Sequence, residues 1–90
     1  GEVSAETAGL VDPKHIPNLD KRFRIRKEKA DHFLCMVENK GLVTLNQRAY
    51  WLLTEIDNIK TSGQILESAR TKHGACFSLA ELTEVLSLFT

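Results

Sequence analysis

The stretch Gly41-Leu42-Val43-Thr44-Leu45-Asn46, running on into Gln47 to Asp57, decides the fold of this chain. A glycine turn opens a short apolar strand and Asn46 closes it. Asparagine is a strong helix N-cap, because its side-chain oxygen accepts a backbone N–H that the first helical turn leaves unpaired. Beyond it, Ala49, Leu52, Leu53 and Ile56 recur at i, i+3, i+4 and i+7, the spacing of one helix face. The strand therefore passes into a helix with no loop between them. The chain divides at Asn46, with strands before it and helices after it.

Upstream, Arg22-Phe23-Arg24-Ile25-Arg26 alternates strictly. Side chains alternate across a strand, so Phe23 and Ile25 point one way and three arginines the other. Glu28-Lys29-Ala30-Asp31 is polar and suits a hairpin connection. His32 to Val37 is apolar on both faces, which fits a central strand. Asn39-Lys40-Gly41 is a turn with glycine where a left-handed residue is needed. Leu42 to Leu45 is then the third strand of an antiparallel meander, and an edge. Residues 1–20 lack periodicity and are punctuated by Gly9, Pro13 and Pro17. They read as a flexible arm whose later part, Ile16 to Leu19, lies on the domain of residues 21–90.

Downstream, Thr61 with Gln64 and Ser78 with Glu81 are two capping boxes, in which each side chain satisfies the other's backbone N–H. Ile65, Leu66 and Ala69 form the stripe of a second helix that Gly74 stops. Phe77 and Leu82 are spaced as a hydrophobic staple for a third helix, from Leu79 to at least Phe89. The expected fold class is α+β: a three-stranded antiparallel sheet followed by three helices, like a winged helix-turn-helix. A sheet this small must bury one face on the helices.

Lysines and arginines equal aspartates and glutamates at 12 each, so the formal net charge is zero. A nucleic-acid binder needs a basic surface to displace counterions from phosphate, and neutrality argues against that class. The longest apolar run, Phe33 to Val37, is far too short to span a membrane. Two cysteines make no disulfide framework, although a Cys35–Cys76 bridge stays open; a cytoplasmic location is the natural expectation. The chain begins on Gly1 and stops at Thr90 inside an apolar pattern, which suggests a fragment.

No catalytic motif is present, so no enzyme activity and no cofactor is expected. His73-x-x-Cys76 is one loose pair where zinc wants four ligands. Cys35 lies mid-strand among apolar residues, where a thiol is unreactive. Glycine-rich phosphate loops are absent. Two features exceed what a core needs. The third helix carries apolar residues over about 180°, where a stripe of about 100° would suffice. Its spare flank is Glu81, Val85 and Leu88. Trp51 lies nearly opposite the Ala49–Ile56 stripe, and is either a contact for a partner enzyme or covered by Ile16 to Leu19.

The strand-turn-strand leading to Gly41 to Asn46, followed by Ala49, Leu52-Leu53, Ile56-Asp57, Thr61, Ile65 and a third helix, resembles the PqqD-like family over roughly residues 20–89. The Leu45-Asn46 junction and the helix spacing carry the resemblance. It implies a winged-helix-like domain that binds the leader segment of a ribosomally made precursor peptide, with a separate or fused peptide-modifying enzyme as second partner. The leader lies between the third strand and the third helix. Leu42, Val43, Thr44 and Leu45 would offer backbone for strand addition. Val85 and Leu88 would form apolar pockets, and Glu81 and Glu84 would receive a basic leader residue. Two readings from other classes stand beside it. One is a winged-helix nucleic-acid binder, against which the last helix weighs with two glutamates and no Lys or Arg. The other is a docking or dimerisation module whose edge strand is occupied by another chain.

Overall fold

The computed structural model describes residues 10–38 and 40–89. The first part of the arm (residues 1–9), Asn39 of the turn and Thr90 lie outside the described residues. The fold is α+β, with β1 (Phe23–Lys29), β2 (His32–Val37), β3 (Gly41–Leu45), α1 (Gln47–Glu55), α2 (Ser62–His73) and α3 (Leu79–Leu88) in order. The strands form one antiparallel sheet, β1-β2-β3, with β2 central. Register pairs Ile25 with Cys35 and Cys35 with Val43, so these residues share the inner face. Phe33, Cys35, Val37 and Leu45 on that face pack with Leu52, Leu53, Ile56, Ile65, Ala69, Leu82 and Val85 in one core. The helices thus cover one face of the sheet, a winged-helix-like arrangement.

The joint at Asn46 has the expected geometry. Asn46 is extended, with φ −84° and ψ 176°, and its Oδ1 accepts the Ala49 N–H at 2.8 Å. A second cap comes from the β1–β2 hairpin, where Asp31 Oδ1 accepts the Gln47 N–H at 2.8 Å. The stacked rings of Phe33 and Tyr50, 4.2 Å apart, tie β2 to α1. Both capping boxes form, at Thr61–Gln64 and Ser78–Glu81. Gly74 adopts φ 68°, the left-handed conformation that favours glycine after a helix.

Five boundaries differ from the sequence reading. β1 starts at Phe23 rather than Arg22, and α3 ends at Leu88 with Phe89 as its C-cap. β1 continues to Lys29 through a bulge between Lys27 and Lys29, so the hairpin connection narrows to Ala30-Asp31. Strand pairing uses backbone groups and outlasts the apolar alternation that marks it in sequence. β3 starts one residue earlier, at Gly41. α1 ends at Glu55 rather than Asp57, because the Asp57 carboxylate accepts the N–H groups of Ile59 and Lys60 and turns the chain.

Residues 10–20 are docked on the helical side. Leu19 and Pro17 are buried. Leu19 exchanges two hydrogen bonds with the Asn58 side chain, 2.8 Å for its N–H and 3.1 Å for its carbonyl. The His15 carbonyl accepts the Ser62 N–H, the Pro13 carbonyl accepts the Gly63 N–H, and the Val11 N–H donates to Thr83 Oγ1. This segment runs along the start of α2 to α3, where its hydrogen bonds reach Asn58, Ser62, Gly63 and Thr83. Its backbone finds partners in caps and turns, which leave no periodic trace in sequence.

Candidate functional site

Among the described residues β3 has a hydrogen-bonded neighbour on one side only. The sheet's two edges differ in character. β1 carries Arg24, Arg26, Lys27 and Lys29 and a bulge, features that discourage a further strand from pairing. β3 is Gly-Leu-Val-Thr-Leu, without charge, proline or bulge. Of the two edges, only β3 lacks these features among the described residues.

Beside this edge runs a groove of about 190 Å³, lined by Thr44, Leu45 and Asn46 at the end of β3, Ala49 and Leu52 of α1, and Glu81, Glu84, Val85 and Leu88 of α3. It exists because α1 leaves β3 without a loop, so α3 packs on α1 and stands off from the strand. Leu45, Leu52 and Val85 are buried and form its floor. Leu88 is half-buried and Glu84 exposed, at its rim.

The structure therefore brings together Thr44, Leu45, Glu81, Glu84, Val85 and Leu88. Leu42 and Val43 contribute edge backbone but do not line the groove. Leu42 turns its side chain to the outer face, and Val43 packs against the core. Val85, assigned in sequence to a spare flank, is only 3% exposed, so the accessible part of that flank is Leu88 with Glu84.

The two glutamates are not equivalent. Glu81 accepts a bidentate contact from Arg48, Nε to Oε2 at 2.8 Å and Nη2 to Oε1 at 2.9 Å. It also accepts the Ser78 N–H at 3.0 Å. The Arg48 hydrogen bonds hold the Glu81 carboxyl below its ordinary value, outweighing partial burial. Among the described residues Glu84 has no cationic partner. The groove thus presents one neutralised and one available carboxylate above an apolar floor. Arg48 was missed by the sequence reading, since the pair spans two helices and has no local spacing.

Trp51 lies outside the groove. It stacks on His73, with ring centroids 4.1 Å apart and planes 6° apart, and meets Phe77 edge-on at 6.4 Å. The Arg48 guanidinium lies 4.4 Å over Phe77. Its cover comes from the end of α2 and the α2–α3 loop. A half-buried tryptophan packed in this way offers only part of its ring to a partner.

Glu55 is a second residue without a sequence signal. It is 3% exposed, yet it accepts from Ser68 Oγ at 2.7 Å and lies 3.1 Å from Lys72 Nζ and 3.8 Å from Lys60 Nζ. Burial raises its carboxyl, but the Ser68 and Lys72 hydrogen bonds outweigh it and hold the group below its ordinary value. It pins the end of α1 to α2, away from the groove. Cys35 is buried and Cys76 exposed, both as free thiols, and burial pushes the Cys35 thiol up. Among the described residues no cluster of His, Cys, Asp and Glu has the makings of a metal site. No helix among them is long and apolar enough to cross a membrane.

No family model matches this chain, and no curated protein or solved structure matches it either. What the groove does must be read from its own chemistry.

Proposed function

We propose that this chain is a non-enzymatic peptide-binding module that takes the leader segment of a ribosomally made precursor peptide and presents it to a modifying enzyme. The observation that carries the reading is the continuity of the uncharged β3 edge with the groove between β3 and α3. An extended peptide would pair its backbone with β3 as a fourth strand, the general mode of strand addition. One apolar side chain would enter the groove over Leu45, Leu52 and Val85, beside Leu88. A basic side chain would meet Glu84. The Arg48–Glu81 pair would close the groove at the α3 N-terminus without adding net charge. The absence of Lys and Arg from α3 weighs against a nucleic-acid role for that helix.

Titrating the isotopically labelled chain with the leader of a precursor encoded beside it tests this reading. Amide shifts at Val43 to Leu45, Glu84 and Leu88 support it. Shifts confined to β1 or α2 would remove the site assignment.

A further inference from the structure

The face of the sheet turned away from the helices carries its own ordered surface. Strand register aligns Arg24, Met36 and Leu42 in one row, and Arg26, Leu34 and Thr44 in the next. Met36 is 54% exposed and Leu42 59% exposed, and they are cross-strand partners. Half-buried Leu34 lies two residues along β2 on the same face. Isolated exposed apolar residues need no explanation, but three neighbours on a rigid sheet form a patch. A shallow recess of about 440 Å³, bordered by Lys21, Arg22, Phe23, Arg24, Met36 and Glu38, extends the patch at one end.

Charge indicates what fits there. Arg22 pairs with Asp20 and Glu38, Arg26 with Glu28, Arg48 with Glu81, and Arg70 with Glu67. Among the described residues Arg24 alone of the arginines has no carboxylate, and it stands in the same row as the two most open apolar side chains of the sheet.

We propose that this face docks an acidic amphipathic segment of a partner protein, with apolar side chains over Met36 and Leu42 and a carboxylate on Arg24. Neighbouring strands lie about 4.8 Å apart, so that carboxylate stands roughly 10 Å from the group covering Leu42. A second copy of the chain fits poorly. The two rows contain no carboxylate, and the adjoining Glu28 and Glu38 are already paired with Arg26 and Arg22, so a twofold contact would bury the Arg24 guanidinium without a free counter-charge. Nucleic acid fits poorly as well, because the rows hold no aromatic side chain on which a base can stack. The surface meets the groove only at Thr44, while Arg24, Met36 and Leu42 lie outside the groove lining; the proposal goes beyond the leader-peptide reading and does not depend on it.

The test uses the full chain as bait for a displayed library of random peptides, with Arg24→Glu and the double substitution Met36→Ser, Leu42→Ser as counter-baits. The selected peptides are expected to combine Asp or Glu with apolar residues and to shift the amides of Arg24, Leu34, Met36 and Leu42. Arg24→Glu should weaken them by about tenfold or more, since like charges then face each other. Replacing the peptide's carboxylate by lysine should restore binding to Arg24→Glu. If the double-serine variant fails to fold, this charge exchange alone decides. Peptides without acidic residues, or binding indifferent to Arg24→Glu, would overturn the proposal. So would self-association of the chain, or salt-sensitive binding of random duplex DNA, that Arg24→Glu abolishes.

Discussion

Arg48 and Glu81 face each other across 2.8 and 2.9 Å in a two-pronged contact that joins α1 to the N-terminus of α3. The contact does two things. It ties the first turn of α1 to the first turn of α3, and it removes one of two acidic charges from the groove. Replacing Arg48 by methionine should cost about 0.5–1 kcal/mol of stability, because the partners are 40% and 36% exposed and solvent screens them. It should also strengthen the groove's preference for basic peptides, by releasing Glu81. Calorimetry with paired lysine- and norleucine-containing peptides measures that preference. An unchanged ratio would show that Glu81 does not face the ligand.

The same pair predicts a pH dependence. The folded-state value of Glu81 lies below its ordinary value of 4.5, and so does that of Glu55. A depressed carboxyl stabilises the fold above the unfolded-state value, and that contribution is lost as pH falls through the folded-state value. Stability should therefore be level through the neutral range and decline below about pH 4.5. Urea unfolding across an acid series should show a shallower decline for Arg48→Met, which lacks the Glu81 part.

Glu55 should matter more to stability than any other carboxylate. Its removal takes the acceptor from Ser68 and the counter-charge from Lys72 at the α1–α2 contact. Glu55→Ala should cost about 2 kcal/mol, in the range for hydrogen bonds to a charged group. Glu55→Gln should recover part of this by keeping an acceptor for Ser68. Denaturant midpoints of the two variants check the order.

Asn58 holds the docked segment from a left-handed backbone, φ 64°. Asn58→Ala loses both hydrogen bonds to Leu19 and puts alanine, which tolerates the left-handed region less well than asparagine, at that position, at a combined cost of about 2 kcal/mol. Asn58→Gly loses the hydrogen bonds alone and should be milder. Tryptic cleavage after Lys14, which lies in the docked segment, should accelerate in the same order.

Groove substitutions should separate binding from folding. Ala49→Leu adds bulk beside the groove floor, and Glu84→Lys reverses the charge at the rim. Each should weaken leader binding by about tenfold or more, as expected where a central contact is removed. Melting temperatures should move little. Variants that melt normally and bind normally would place the ligand elsewhere.

Trp51 is the chain's one tryptophan, so its emission reports a single site. His73→Ala uncovers one face of the indole and should shift the emission to longer wavelength. A groove ligand should leave the emission unchanged in the parent chain, because Trp51 does not line the groove.

The order of elements was legible because it rests on local rules. Alternation at Arg22 to Arg26, the cap at Asn46, the capping boxes at Thr61 and Ser78, and Gly74 each act within a few residues, and each appears in the fold. The uncharged edge of β3 was equally visible, since composition alone distinguishes it from β1. The boundaries that moved did so where tertiary or backbone partners extend or cut an element, at Lys29 and at Glu55.

What sequence alone determined is therefore the meander, the three helices and the acidic, over-apolar α3. What only the tertiary structure decided is how contacts distant in sequence assign the individual side chains. Arg48 reaches Glu81 and neutralises it, so the acidic pair read on one helix becomes a single available carboxylate at Glu84. Val85 sinks into the floor, while Leu42 turns to the outer face beside Met36. His73, at the far end of α2, stacks on Trp51. The physical reason is the range of the interactions. Caps and periodicity are set by neighbours along the chain, whereas charge pairing and side-chain exposure depend on which surfaces meet once the core has closed.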